Sequence, residues 1–404
     1  MEKLFTERAH LMCPNMNFAI AIKVNAPFDE EKIKISLQTL SKAHPFLRSL
    51  LGYDPEDNSY YYDITDASKA ELTVSGDDVT GIYDDKVKTH YEMLISREWD
   101  IREEGMLKVT SWKSEDKTVF LLVFHHLIAD GRGALELACE LSDLYVSGKE
   151  PKTAEEKLIG MEDLPVDSKM PWISRMLVNK ANKDFAKENC EKLSYGKYLE
   201  YADKFIKNDN VIREVRRISE DEMKEILKKS KNSGVTVNDL LMAKMYIEDD
   251  TDNIIIASDL RDKLKSYNKG ALGNYSTAFG VRIKAKDQDE AELAGKIHKK
   301  VQKIMAVSSD LWLVLQCYAN LDPAVLDGAF MAARGEYESK ASEFIGKMFF
   351  HMDSSSGYSI TNLGKTDNMN IEEAFFMPPA SPAIKKTSGV LTVNGKMSIC
   401  TCRR

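Results

Sequence analysis

The chain has 404 residues, too many for one small module, and at about 150 residues per domain two domains are the default expectation. Hydrophobic residues make up 43% and charged residues 30%, which supplies sizeable apolar cores and excludes a disordered or collagen-like chain. With 56 Lys+Arg against 64 Asp+Glu the formal charge is -8, which argues against a general role in coating nucleic acid, a role that depends on neutralising phosphates.

From the start, residues 1–17 lack the apolar core of a secretory signal, and no later run approaches the roughly 18 apolar residues of a membrane span. A cytoplasmic address is expected. Asn17 to Val24 reads as a strand, closed by Pro27-Phe28-Asp29 ahead of a helical pattern from about Glu30 to Ala43, which His44-Pro45 stops. Hairpin-like pieces follow around Tyr60 to Ile64, then a helix around Asp84 to Ser96 and two strands, Leu107 to Trp112 and Thr118 to His126. The second strand is almost wholly apolar, so it belongs in the middle of a sheet with both faces covered. Gly133 to Tyr145 reads as a helix burying Leu137, Leu141, Leu144 and Tyr145.

From about 149 to 217 the pattern turns irregular and polar, and residues 171–217 hold 11 Lys+Arg against 7 Asp+Glu. A solvated linker, a helical crossover or a docking surface for an anionic partner would each explain that surplus. A second αβ pattern then begins: helix Glu220 to Ser230, the turn Asn232-Ser233-Gly234, helix Thr236 to Tyr246 with a Thr236/Asp239 capping box, and strand Asn253 to Ser258. Beyond Gly273-Asn274 come a strand (Ser276 to Ile283), a helix (Asp289 to Met305), helical stretches to about Met348, and strands Gly357 to Asn362 and Glu372 to Phe376. The tail is a hairpin with Asn394-Gly395 as its type I′ turn. Six cysteines (Cys13, Cys139, Cys190, Cys317, Cys400, Cys402) contain no C-x-x-C pair and read as reduced and buried.

One segment combines rare residues at fixed spacing where a strand gives way to a helix: His125-His126-x-x-x-Asp130-Gly131. Chance would place such a pattern in a chain of this composition on the order of one time in a thousand or less. Neighbours at a strand end point to opposite sides, so the two histidines are not an equivalent pair. An imidazole titrates near 6.5, which suits it to take a proton from an alcohol, amine or thiol. Gly131 permits a conformation or close approach that a side chain would block, and an Asp130 carboxylate can orient the imidazole or pair with a distant arginine. Competing readings are a satisfied core histidine and a metal site, but the other histidines (His10, His44, His90, His298, His351) show no ligand spacing. No G-x-S-x-G or Gly-rich nucleotide loop is present.

At these residues the chain resembles the chloramphenicol acetyltransferase-like superfamily of acyl-CoA-dependent transferases, which includes nonribosomal peptide condensation domains, alcohol acetyltransferases and polyketide-associated acyltransferases. The likeness extends to Ala43 to Leu50 (AHPFLRSL), Ser258 to Arg261 (SDLR), Leu272 to Tyr275 (LGNY) and Tyr358 to Gly364 (YSITNLG). Departures are Thr277-Ala278 in place of an Asn-Thr between Gly273 and Arg282, Gly105-Met106-Leu107 in place of G-P-L, and the missing D-F-G-W-G of the plant branch.

The resemblance implies an α/β protein of two-layer α+β sandwich lobes, two acetyltransferase-like lobes forming a pseudo-dimer with an active-site tunnel between them. The expected division is an N-terminal lobe (1–150) carrying the motif, a helical crossover linker (151–217) and a C-terminal lobe (218–404). By the same likeness His126 is the general base, with His125, Asp130 and Gly131 completing the motif. Asp130 points away from the centre to pair with Arg261, and Gly131 keeps the tunnel mouth open. Asn274, Ser359, Thr361 and Asn362 are the polar candidates for oxyanion or substrate contacts, and Phe124, Tyr275, Phe279 and Tyr358 line the tunnel or belong to the core.

The expected activity is transfer of an acyl group from acyl-CoA to a hydroxyl or amine without an acyl-enzyme. The alternatives are a carrier-protein-dependent condensation-type enzyme drawing on acyl-phosphopantetheine, its donor an acyl or peptidyl carrier protein, and a non-catalytic binding or scaffolding member of the fold. No permanently bound cofactor, metal, nucleic acid or membrane span is expected. The partners are a small-molecule acceptor and an acyl thioester, and the chain is expected to be a monomer.

Overall fold

A computed structural model describes residues 2–284 and 288–404. The apolar run of strand Lys117–Phe124 is buried at every position after the first, and the strand lies at the centre of a five-stranded sheet. Phe18–Val24 and Leu107–Ser114 flank it in antiparallel register. Glu71–Asp78 adds an outer strand parallel to Leu107–Ser114. On the other side of Phe18–Val24 the sheet is completed by Ile371–Met377, a strand contributed from more than two hundred residues further along the chain.

A six-stranded sheet is built from the rest of the C-terminal half, in the order Ser276–Arg282, Asn253–Asp259, Gly357–Thr366, Ile384–Val393, Lys396–Arg403, Ile212–Arg217. Gly357–Thr366 runs parallel to both of its neighbours and the other pairings are antiparallel. Val393 pairs with Lys396 across the closing hairpin, and positive φ at Asn394 and Gly395 gives the turn whose twist suits two-residue hairpins. Cys400 and Cys402 alternate on the buried face of Lys396–Arg403.

Residues 171–217 are more regular than their polar composition predicts. They form helices Trp172–Glu188 and Tyr195–Asn208 and the edge strand Ile212–Arg217. Trp172–Glu188 packs with Leu313–Asn320, Pro323–Ala333 and Lys340–Phe350 around a separate small core containing Val178, Ala181, Cys317, Val325 and Ile345. Local periodicity was weak because few of these helical residues are buried, only Val178 and Ala181 in the first helix.

Capping fixes the elements that carry the motif. Helix Glu30–Ala43 starts on Asp29, whose side chain accepts from the Lys32 amide, and Thr236 and Asp239 form a reciprocal box at the start of Val237–Glu248, satisfying amides the helix leaves free. Helix Gly131–Ser147 follows the central strand directly, with Asp130 as its N-cap and Gly148, at φ 71°, closing it. It packs back on the five-stranded sheet through the Phe120–Tyr145 contact, ring centroids 5.3 Å apart. A short N-terminal helix, Arg8–Leu11, is pinned across the molecule by a buried bidentate pair, Arg8 to Asp327, at 2.7 and 2.6 Å.

Candidate functional site

His125 and His126 leave the end of strand Lys117–Phe124 in opposite directions. His125 is buried; its Nδ1 accepts from the Leu127 amide at 3.2 Å and its Nε2 lies 3.6 Å from Glu98 Oε1. This ring braces the turn rather than facing solvent. His126 is partly exposed, and its Nδ1 lies 3.2 Å from Asn274 Oδ1.

Asn274 can present only its oxygen to that ring, because its Nδ2 donates to the carbonyls of His126 (2.9 Å) and Leu127 (2.7 Å). The Asn274 oxygen therefore requires the proton on His126 Nδ1, which leaves the Nε2 lone pair available. Nε2 has no hydrogen-bond partner among the described residues. Burial pulls the imidazole below its ordinary value; its contact with its own backbone, the nearby Asp130 charge and the Asn274 contact offset this only in part. A histidine so placed is neutral at pH 7 and able to accept a proton.

Asp130 is turned to the other side of the loop and joins the two halves of the chain. Its Oδ1 accepts from the Gly133 amide (2.8 Å) and Arg261 (2.9 Å), and its Oδ2 from the Tyr275 amide (2.8 Å) and Arg261 (3.1 Å). Burial on its own would raise this carboxyl; the Arg261 charge and the hydrogen bonds outweigh that and hold it below the usual carboxylate range. Arg261 is buried, bonds Asp259 as well, and lies 5.1 Å over the Tyr275 ring.

Two glycines admit this packing. A Cβ at Gly133 would come within 3.2 Å of both Arg261 and the Gly273 carbonyl, and one at Gly131 within 2.7 Å of Leu363 Cδ2 and 3.3 Å of Phe376. Gly131 is thus a point of close approach between the motif loop and strands Gly357–Thr366 and Ile371–Met377.

The remaining polar candidates make no hydrogen bond to His126 among the described residues. Ser359 Oγ donates to Thr387 across the parallel strand pair at 3.0 Å. Asn362 accepts from the Gly364 amide at 2.8 Å and reaches Asn238 at 3.4 Å. The Thr361 hydroxyl makes no side-chain hydrogen bond among the described residues. Asn274 has both amide hydrogens committed to carbonyls, so it meets His126 through its oxygen and has no donor left for another group. Phe124, Tyr275 and Phe279 are core residues, and Tyr358 is partly buried against the C-terminal core.

Several groups around His126 carry no signal in the sequence. His10 stacks on His126, ring centroids 4.3 Å apart and planes 16° apart, and Phe18 meets it edge-on at 5.2 Å. Tyr62 donates to the Leu127 carbonyl at 2.6 Å. His10 was weighed only for metal-ligand spacing, and no local pattern announces a ring that reaches the motif through the tertiary fold.

Comparison with known proteins agrees with this architecture. Residues 4–162 match the family model of the Condensation domain. Over 154 residues the chain is 30% identical to surfactin synthase subunit 1 of Bacillus subtilis, a match covering 37% of this chain and 4% of that protein. The chain therefore spans a small fraction of the curated relatives it matches. Among solved structures, the first condensation domain of the calcium-dependent antibiotic synthetase superposes with a TM-score of 0.62 at 8% identity, covering 100% of this chain and 91% of that one. Polyketide synthase associated protein 5 from Mycobacterium tuberculosis gives 0.58 at 14% identity, covering 98% and 92%. The chain shares its two-lobe fold with these condensation-domain structures over nearly its whole length. Among the described residues no helix is long and apolar enough to cross a membrane.

Proposed function

We propose that this chain, a condensation-type fold with the histidine motif intact, is a transferase that takes an acyl group from a carrier-bound phosphopantetheine thioester and passes it to an amine or hydroxyl. The observation that carries the reading is the His126 imidazole, held at Nδ1 by Asn274 from the other half of the chain while Nε2 has no hydrogen-bond partner among the described residues.

The acceptor N–H or O–H approaches Nε2 and attacks the thioester carbonyl as His126 takes its proton. The new C–N or C–O bond forms as the carbonyl becomes a tetrahedral oxyanion. Collapse of that intermediate breaks the C–S bond, and the departing thiolate recovers the proton from the imidazolium. No acyl-enzyme is needed, and Asp130, paired with Arg261, supports the loop without touching the reacting atoms.

The sequence alone put free acyl-CoA first as donor. The Condensation match over residues 4–162, which include the motif, and the likeness to a surfactin synthase subunit favour the carrier-bound thioester instead. The test offers one acyl group on a carrier protein and on CoA, each against a panel of simple amines and alcohols, with release of free thiol measured. At least tenfold higher kcat/KM for the carrier-bound donor is expected. Equal or better turnover of acyl-CoA overturns the donor assignment, and no thiol release from either donor returns the chain to a binding or scaffolding role.

A further inference from the structure

We propose that His10 is a positioning residue for the His126 base: its ring covers one face of the imidazole and fixes the plane in which Nε2 meets an acceptor. The inference rests on the role proposed for His126 and adds a residue outside the motif. The two rings are nearly parallel at 4.3 Å, too flat for one nitrogen to bond the other, so His10 works through contact. Phe18 packs against the same ring at a steep angle, centroids 5.2 Å apart, and Asn274 holds Nδ1. The ring is thereby held by two ring contacts and by one nitrogen, and no hydrogen bond to Nε2 is found among the described residues.

The position of His10 is itself over-determined. It lies on Arg8–Leu11, where Arg8 is locked to Asp327 and donates to the Asn58 carbonyl at 2.8 Å, while Leu11 and Met12 are buried. No hydrogen bond to a His10 nitrogen is found among the described residues, so the ring acts through its stack on His126.

The stack also bears on protonation. His126 is faced by His10, Phe18 and Asn274, with His125 and the Asp130 carboxylate nearby, and His10 is faced by His126 and His125. At the short helix the Arg8 charge is matched by Asp327, and burial pushes the Glu7 carboxyl at its N-cap up to about 7 although it accepts from the Phe5 amide and the Thr6 hydroxyl. Burial and then the neighbouring imidazole push His10 well below its ordinary value. Two imidazolium rings in contact repel, so a proton on one ring disfavours a proton on the other.

The test compares His10→Ala, His10→Phe and His126→Ala in the full chain, reading kcat, KM for the acyl donor, the acid limb of kcat/KM, and the His126 ring titration by NMR. His10→Ala is expected to lower kcat by roughly tenfold or more through loss of orientation, with KM little changed. Water entering the gap moves the acid limb and the ring titration up toward the free value. His10→Phe restores a flat covering ring and recovers most of the lost rate. A His10→Ala protein that melts earlier but keeps its kcat and acid limb overturns the inference, as does a His10→Phe protein no better than His10→Ala. If His126→Ala turns over like the wild type, the assignment of the base has failed; if it is inactive while His10→Ala is fully active, only the positioning role has.

Discussion

Replacing Asp130 with alanine removes the acceptor from four donors at once: the Gly133 and Tyr275 amides and both terminal nitrogens of Arg261. Arg261 is 7% exposed and would keep only Asp259 at 3.1 Å as an ionic partner. Breaking a buried pair from one side typically costs about 3 to 5 kcal/mol, and each stranded amide about 1 kcal/mol. Because these terms overlap, a loss of about 4 kcal/mol is expected for Asp130→Ala. Arg261→Ala should cost less, about 2 to 3 kcal/mol, since the carboxylate keeps two amide donors. Both changes delete one contact, so the double variant should fall short of the sum by about 2 kcal/mol. Denaturant unfolding of the full chain, followed by fluorescence and far-UV circular dichroism together, measures this. The carboxyl is held below its usual value, so the stabilisation is complete above about pH 4 and is lost as pH falls through the folded value. The gap between wild type and Asp130→Ala should therefore be full at pH 7 and narrow in acid. Losses that add to within about 0.5 kcal/mol would refute the coupling.

The base must be neutral to act, and His126 sits below its ordinary value. Activity should therefore rise with pH through a limb centred below about 6.5, which a kcat/KM profile checks; a limb centred above that value contradicts the environment described. Gly131→Ala forces a methyl to within 2.7 Å of a flexible leucine tip, so a loss at the low end of the ~1 to 3 kcal/mol range for overpacking is expected; an unchanged melting temperature would show that the approach is loose. His44 bonds Glu140 and Glu156 at 2.7 and 2.8 Å, and although burial opposes its charge these bonds carry it up to about 9. Its contribution, at most ~3 kcal/mol, is complete below about pH 6.5 and lost as pH rises toward 9. His44→Ala should accordingly lower the melting temperature more at pH 6 than at pH 9.5, and equal losses would exclude a charged ring.

What the sequence carried best was periodicity and punctuation. The apolar run of residues 118–124 announced a central strand because both of its faces are covered, and the Asn394-Gly395 turn announced its hairpin because only such residues tolerate the positive φ found there. Helices of residues 171–217 were obscured because they bury little. Strand Ile371–Met377 was visible as a strand, but its place beside Phe18–Val24 is a choice of topology that local pattern does not encode. The same holds at the site. Asp130 and Arg261 lie 131 positions apart, and family likeness alone nominated them as partners. Ser359 and Asn362 stand out in the sequence only as polar residues near a strand end, and their hydrogen bonds to Thr387, Gly364 and Asn238 are set by strand pairing and tertiary packing that no local pattern encodes. His10 was invisible because a ring stack leaves no spacing in the chain.

The central claim is most directly tested by single-turnover kinetics of His126→Ala with a carrier-bound acyl donor at pH 7.5, beside its melting curve. Loss of the general base should slow acyl transfer by about two to four orders of magnitude while the melting temperature stays near that of the wild type. A folded variant transferring the acyl group at the wild-type rate would contradict the account.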